Sequence, residues 1–266
     1  MVLENEQKDI IAIAHKMADT AREISLKYFR TPALKASNKS DDGFDPVTIA
    51  DREAEQAIRE IIAKNRPNDA IIGEEFPNSP GTSGLTWVID PIDGTRAFIS
   101  GIPTWGVLIG LDDGTKPVLG IVDQPYIGER FIGAFGHAEL ITKTTTQTIK
   151  TRNCSTLADA TLMTTFPEIG SKAERMGFEA VSTKVKLTRY GLDCYAYALL
   201  AMGQIDLVIE AGLNAYDIHG PQGVIEAAGG IVTNWQGEPG HMGGRILAAG
   251  DADLHAQALE ILSKAP

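Results

Sequence analysis

The chain has 266 residues, of which 43% are apolar and 22% charged, the balance of a soluble globular protein able to bury a sizeable core. Disorder, collagen and coiled coil are thereby excluded. Lys plus Arg is 24 against 35 for Asp plus Glu, a net charge of −11; such a field repels nucleic acid and anionic membrane surfaces and suits cations.

The acidic start, Met1–Glu6, lacks the basic and apolar regions of a signal peptide. Residues 4–29 then read as an amphipathic helix, with Ile10, Ile13, Met17, Ala21, Ile24 and Tyr28 recurring every three or four positions. The polar stretch 31–43, broken by Pro32, predicts a loop or short hairpin. Thr48-Ile49-Ala50-Asp51 is an acidic capping box that opens a second helix, ending before Pro67.

From Asp69 the period changes. Short apolar runs at 70–73, 85–89, 105–111, 118–122 and 131–135 are separated by Gly, Pro and Asp clusters and predict a mostly antiparallel sheet, with a hairpin turn at Gly114. The threonine-rich run 142–153 is the expected boundary. Beyond it the pattern alternates. Strands are predicted at 161–165, 185–187, 205–210, 231–234 and 246–249, and helices at 171–180, 194–202, 218–228 and 252–263. No apolar run approaches the roughly 18 residues of a membrane span. Cys154 and Cys194 form no zinc or CxxC spacing, so reduced thiols in a cytoplasmic protein are expected.

The sharpest feature is Trp87-Val88-Ile89-Asp90-Pro91-Ile92-Asp93-Gly94-Thr95. An apolar strand delivers Asp90, Pro91 breaks the ladder, and Asp93 follows three residues on. Two carboxylates and the Ile92 carbonyl around one bend are hard oxygen ligands suited to Mg²⁺. Gly94 and Thr95 offer backbone N–H groups for an anion if a helix begins there. Glu74 and Glu75 end another predicted strand and, taken alone, read as a solvated turn. Asp217 reads as a helix N-cap, and Asp45, before Thr48, is ambiguous. The five histidines, at 15, 137, 219, 241 and 255, lie in no ligand spacing; His219 reads as helix surface or as support for the site. Trp87, Trp105 and Trp235 read as core, and Gly229-Gly230 as a helix stop.

Taken together, Asp45-Pro46-Val47-Thr48, Gly73-Glu74-Glu75, Trp87–Thr95, and Tyr216-Asp217 with Glu226-Ala227-Ala228-Gly229-Gly230 resemble the inositol monophosphatase-like family of Mg²⁺-dependent phosphomonoesterases. The resemblance spans essentially the whole chain; Tyr216 stands where the family often has Trp. It implies a layered αβαβα, sugar-phosphatase-like α+β fold, in which residues 1–142 carry the helices, the antiparallel sheet and most metal ligands. Residues 143–266 would then form a mixed α/β subdomain supplying Asp217 and the substrate pocket. It implies two or three Mg²⁺ ions per subunit. Glu74, Asp90 and the Ile92 carbonyl would hold one, Asp90, Asp93 and Asp217 a second, and Glu75 a metal-associated water or a third. Thr95 and Asp45, helped by Thr48, would orient the attacking water, Glu74 would assist its deprotonation, and the Gly94 and Thr95 amides would hold phosphate. Such chemistry needs a nucleophile at neutral pH and a stabilised leaving oxygen, which cations shared between carboxylates can supply.

Thr95–Gly106, Tyr190–Tyr197 and Asp206–Leu213 are most similar to the histidinol-phosphate phosphatase branch, with Leu192 a departure. That implies hydrolysis of histidinol phosphate in histidine biosynthesis, with Arg96 near the phosphate or paired with a metal-site acid, and Asp193 and Glu210 as carboxylates for a cationic leaving group. Alone, Asp193 also reads as an N-cap and Glu210 as a solvated strand end, and Glu210 matches an inositol-contacting position of the sister branch, so Asp193 is the sharper discriminator. The alternatives are an inositol-1-phosphate or broad-specificity polyol phosphatase and, in another class, a catalytically silent metal-regulated binding module. Partners expected are a small phosphate monoester and a second copy of the chain, with no nucleic acid or membrane.

Overall fold

The computed structural model describes residues 4–265 except 33, 35 and 39–45. The first amphipathic pattern forms α1 (Glu4–Tyr28), followed by a short antiparallel pair, β1 (Ala36–Asn38) with β2 (Pro46–Thr48). The capping box at Thr48 and Asp51 starts α2 (Ile49–Asn65), each residue bonding the other's backbone.

A seven-stranded sheet follows, built from β3 (Ala70–Gly73), β4 (Thr86–Asp93), β5 (Gly106–Asp112), β6 (Pro117–Gln124), β7 (Glu129–Ala134), β8 (His137–Thr142) and β9 (Thr146–Thr148) in sequential order. Only the β3–β4 pairing is parallel. A short α3 (Thr95–Ile99) leaves the end of β4. Within the polar run 142–153, β9 joins this sheet by pairing with β8. The β9 side chains are all exposed, so no apolar periodicity announced it.

The second sheet has the order β11-β10-β12-β14-β13. Its strands are β10 (Thr161–Thr164), β11 (Leu187–Tyr190), β12 (Leu207–Leu213), β13 (Ile231–Asn234) and β14 (Gly244–Ala249). The strand predicted at 185–187 lies later in the chain because parallel pairing of Thr161–Thr164 with Leu187–Tyr190 sets its register. Helices α4 (Lys172–Ser182), α5 (Tyr195–Ala201), α6 (Ala215–Ala227) and α7 (Ala252–Leu262) complete the chain.

Five layers result, alternating helix and sheet. One core joins α1 and α2 to the first sheet through Ile10, Met17, Ile58, Trp87, Ile109 and Ile121. A second fills the space around α5 and α6 between the sheets, with Leu108, Phe131, Ile218, Val224 and Val208. A third seals α4 and α7 onto the outer face of the second sheet around Trp235, Phe178 and Leu254. All three tryptophans are fully buried, as expected of core residues. Each sheet is covered on both faces, the layered αβαβα architecture. Among the described residues, no helix is long and apolar enough to cross a membrane.

Candidate active site

Pro91 does not end β4. The strand runs on to Asp93 with its register to β5 shifting between Asp90 and Asp93, a bulge of the kind that re-aims side chains. Asp90 curls back to accept the Ile92 amide at 3.0 Å. Gly94 turns the chain in the left-handed region at φ 79° and caps α3. Its missing side chain leaves room for a neighbour, since a Cβ there would stand 2.9 Å from Cγ of Asp193. Thr95, the first residue of α3, donates its hydroxyl to the Ile92 carbonyl at 3.1 Å.

Asp217 reaches this strand from the other half of the chain. Helix α6 lies on a glycine track in which Gly110, Gly120 and Gly133 stand side by side on β5, β6 and β7. A Cβ on Gly120 would collide with the carbonyl oxygen of Gly220, and one on Gly133 with that of Gly223. Side chains at these points would lift the helix off the sheet. Asp217 is in the first turn of α6, where it accepts the Asn214 amide at 2.6 Å. The N-cap is Asn214 rather than Asp217, and the Asn214-x-x-Asp217 spacing was the readable signal for that box.

Asp90, Asp93 and Asp217 each present an oxygen within 4.8 Å of the others. Burial, then the charges of Glu74, Asp93 and Asp217, hold the Asp90 carboxyl well above the usual range. Burial, then Asp193 and Asp217, do the same to Asp93. Burial pushes Asp217 up to about 7 against the opposing Asn214 amide. Carboxylates so disfavoured in their charged form fit a bound cation, which removes the repulsion and supplies the missing counter-charge. An oxygen-only donor set of acids and one carbonyl suits a hard divalent ion.

The cleft around these acids has about 490 Å³ of room and includes Glu74, Ile92, Arg96, Asp193 and Glu210 in its walls, within the range of small-ligand sites. Asp193, held at φ 48°, accepts the Thr104 hydroxyl at 2.8 Å, and burial raises its pKa. Glu210 accepts the Thr165 amide at 2.6 Å, and burial pushes it to about 7. The Arg96 guanidinium lies 5.4 Å from the centre of the Phe166 ring, across the cleft mouth. Glu75 stands apart from the lining. Its side chain is 2% exposed and faces Arg52 at 3.9 Å. Asp45 lies outside the described residues.

His219 is not on a helix surface. It is buried against the first sheet, its Nδ1 2.9 Å from the Ala215 carbonyl and its Nε2 3.5 Å from Asp112. Sequence reading also passed over Thr104, Phe166 and Glu55. Thr104 falls within the Thr95–Gly106 string but was given no role there, Phe166 and Glu55 lie outside the quoted motifs, and each takes its role from a partner at least twenty residues away.

The model of the inositol monophosphatase family matches residues 6–266. The bifunctional phosphatase IMPL2 of Arabidopsis thaliana, a chloroplastic protein, is 43% identical over 97% of this chain and 76% of its own length. A histidinol-phosphatase of Streptomyces coelicolor is 33% identical over 96% of this chain and 97% of its own. An inositol monophosphatase structure from Zymomonas mobilis superposes with a TM-score of 0.85 at 41% identity, covering 96% of this chain and 98% of that one. The chain belongs to the inositol monophosphatase family and is a metal-dependent phosphomonoesterase.

Proposed function

We propose that the enzyme hydrolyses L-histidinol phosphate with Mg²⁺. The observation that carries this reading is a pair of carboxylates, the half-buried Asp193 and the buried Glu210, in the same cleft as the Asp90–Asp93–Asp217 cluster but outside it. A polyol leaving group can donate its hydroxyls to such carboxylates but brings no charge to offset theirs. A leaving group with an ammonium and an imidazole gives both acids charge-assisted bonds that offset the desolvation of Glu210 and the partial desolvation of Asp193. Relatives named histidinol-phosphatase, at 30–33% identity, add support.

In this reading Glu74, Asp90, Asp93, Asp217 and the Ile92 carbonyl would hold the ions, and bound ions would supply a nucleophilic water and neutralise charge on the leaving oxygen. Gly94 and Thr95 hold phosphate oxygens by their amides, with Arg96 beside them. Thr95 orients the attacking water by its hydroxyl, and Glu74 takes the proton. Asp193 and Glu210 bind the leaving alcohol and fix it in line. The same reading includes a homodimer and a cytoplasmic location.

The runner-up is inositol phosphate, favoured by the likeness to the Zymomonas mobilis structure. The test compares wild type, Asp193→Asn and Glu210→Gln on histidinol phosphate, inositol-1-phosphate and phenyl phosphate. Loss of about 10- to 150-fold in kcat/KM confined to histidinol phosphate is expected. Equal losses on all three, or a wild-type preference for inositol-1-phosphate, would move the enzyme to the runner-up.

A further inference from the structure

Helix α2 turns three polar side chains toward the protein interior at four-residue spacing: Asp51, Glu55 and Arg59. Asp51 and Glu55 are completely buried in a stripe otherwise made of Ala50, Ala54, Ile58 and Ile62. Burying charge is costly unless every charged atom is met, and around Glu55 it is. Its Oε1 accepts Nε of Arg59 at 2.7 Å and its Oε2 accepts the backbone amide of Glu75 at 2.7 Å. Arg59 in turn donates to the Phe76 carbonyl at 3.0 Å and to the Ser79 hydroxyl at 3.3 Å. A Cβ on Gly73 would collide with the Glu55 carboxylate, so that carboxylate lies flat on the end of β3.

The residues gripped are Gly73, Glu75 and Phe76; the one between them is Glu74, whose side chain enters the cleft. Where the chain leaves β3 its backbone donor and acceptor lose the sheet and need other partners. A Glu–Arg pair meets one of each and carries no net charge, so it adds nothing to the repulsion among the cleft acids. A lone carboxylate or an apolar contact could not do both.

We propose that Glu55, locked by Arg59, is a positioning residue that presets the 73–76 turn so that Glu74 meets the divalent ion without first being ordered. This rests on the metal reading above. A ligand held in place by its supporting shell does not spend binding energy on ordering.

The test is calorimetric titration of the whole enzyme with Mg²⁺, for wild type, Glu55→Gln, Glu74→Gln and the double variant. Glu55→Gln should weaken Mg²⁺ binding by about 10-fold or more, in the range seen for partners of metal ligands. The Mg²⁺ needed for half-maximal rate should rise by the same factor. In the Glu74→Gln background the same change should alter affinity by less than about 2-fold, because two residues acting through one contact are not additive. Wild-type Mg²⁺ affinity in a Glu55→Gln protein that merely melts lower would overturn the proposal. So would equal weakening in both backgrounds. Unchanged affinity in Glu74→Gln itself would instead overturn the metal reading. If Glu55→Gln gives no cooperative melt, Arg59→Lys, which keeps both charges and loses the fork to Phe76, is read by the same criteria.

Discussion

The Cys194 amide donates to Oδ2 of Asp93 at 2.8 Å, joining residues 101 apart in the chain. The neighbouring contact runs the other way, with Asp193 accepting the Thr104 hydroxyl at 2.8 Å. Each half of the chain thus orients an acid of the other. The cleft exists only when both halves are folded together.

The clustered acids predict an inverted response to losing one of them. Asp90→Asn should abolish phosphate release, as EDTA should reversibly in wild type. Without metal, however, the variant should melt at or above the wild-type temperature, because a buried charge and its repulsions are gone. Wild type should gain roughly 5–10 °C at Mg²⁺ a hundredfold above its dissociation constant, and Asp90→Asn should gain almost none. Thermal melts with and without Mg²⁺ check both parts; substantial turnover by Asp90→Asn would remove this residue from the site.

Glu210 should make the metal-free protein less stable as pH rises. Its folded pKa, about 7, lies above the ordinary glutamate value of 4.5. The folded state therefore binds the proton more tightly, a contribution fully present below pH 4.5 and lost as pH rises through about 7. Glu210→Gln should flatten the dependence of stability on pH between 5 and 8 and raise the unfolding free energy at pH 8 by on the order of 1–3 kcal/mol. An unaltered pH profile in that variant would show that Glu210 does not carry this cost.

The glycine track is testable by a single methyl group. Gly120→Ala forces a Cβ against the Gly220 carbonyl, and overpacking of this kind costs about 1–3 kcal/mol. Because α6 carries Asp217, Mg²⁺ affinity should fall along with the melting temperature. Denaturant unfolding and calorimetry on the same preparation measure the pair, and a destabilised variant with full Mg²⁺ affinity would separate the helix seat from the metal site.

The sequence by itself determined the local features. Period 3.6 gave α1 and α2, the capping box fixed where α2 begins, alternating apolar runs marked the central strands, and Asp90-Pro91-Ile92-Asp93-Gly94-Thr95 held two of the three acids that cluster in the cleft. All of these depend on neighbours within a few residues, so a linear reading reaches them. Only the tertiary structure decided that β9 joins the first sheet, that Pro91 bulges the strand rather than ending it, and that His219 is buried. It alone decided that Asp217 arrives over Gly110, Gly120 and Gly133. It also placed Glu55 and Arg59 inside the protein, against the backbone on either side of Glu74. The physical reason is common to all of them: burial, close backbone approach and the partner of a buried charge are set by segments far apart in the chain, and no local spacing records which segments will meet.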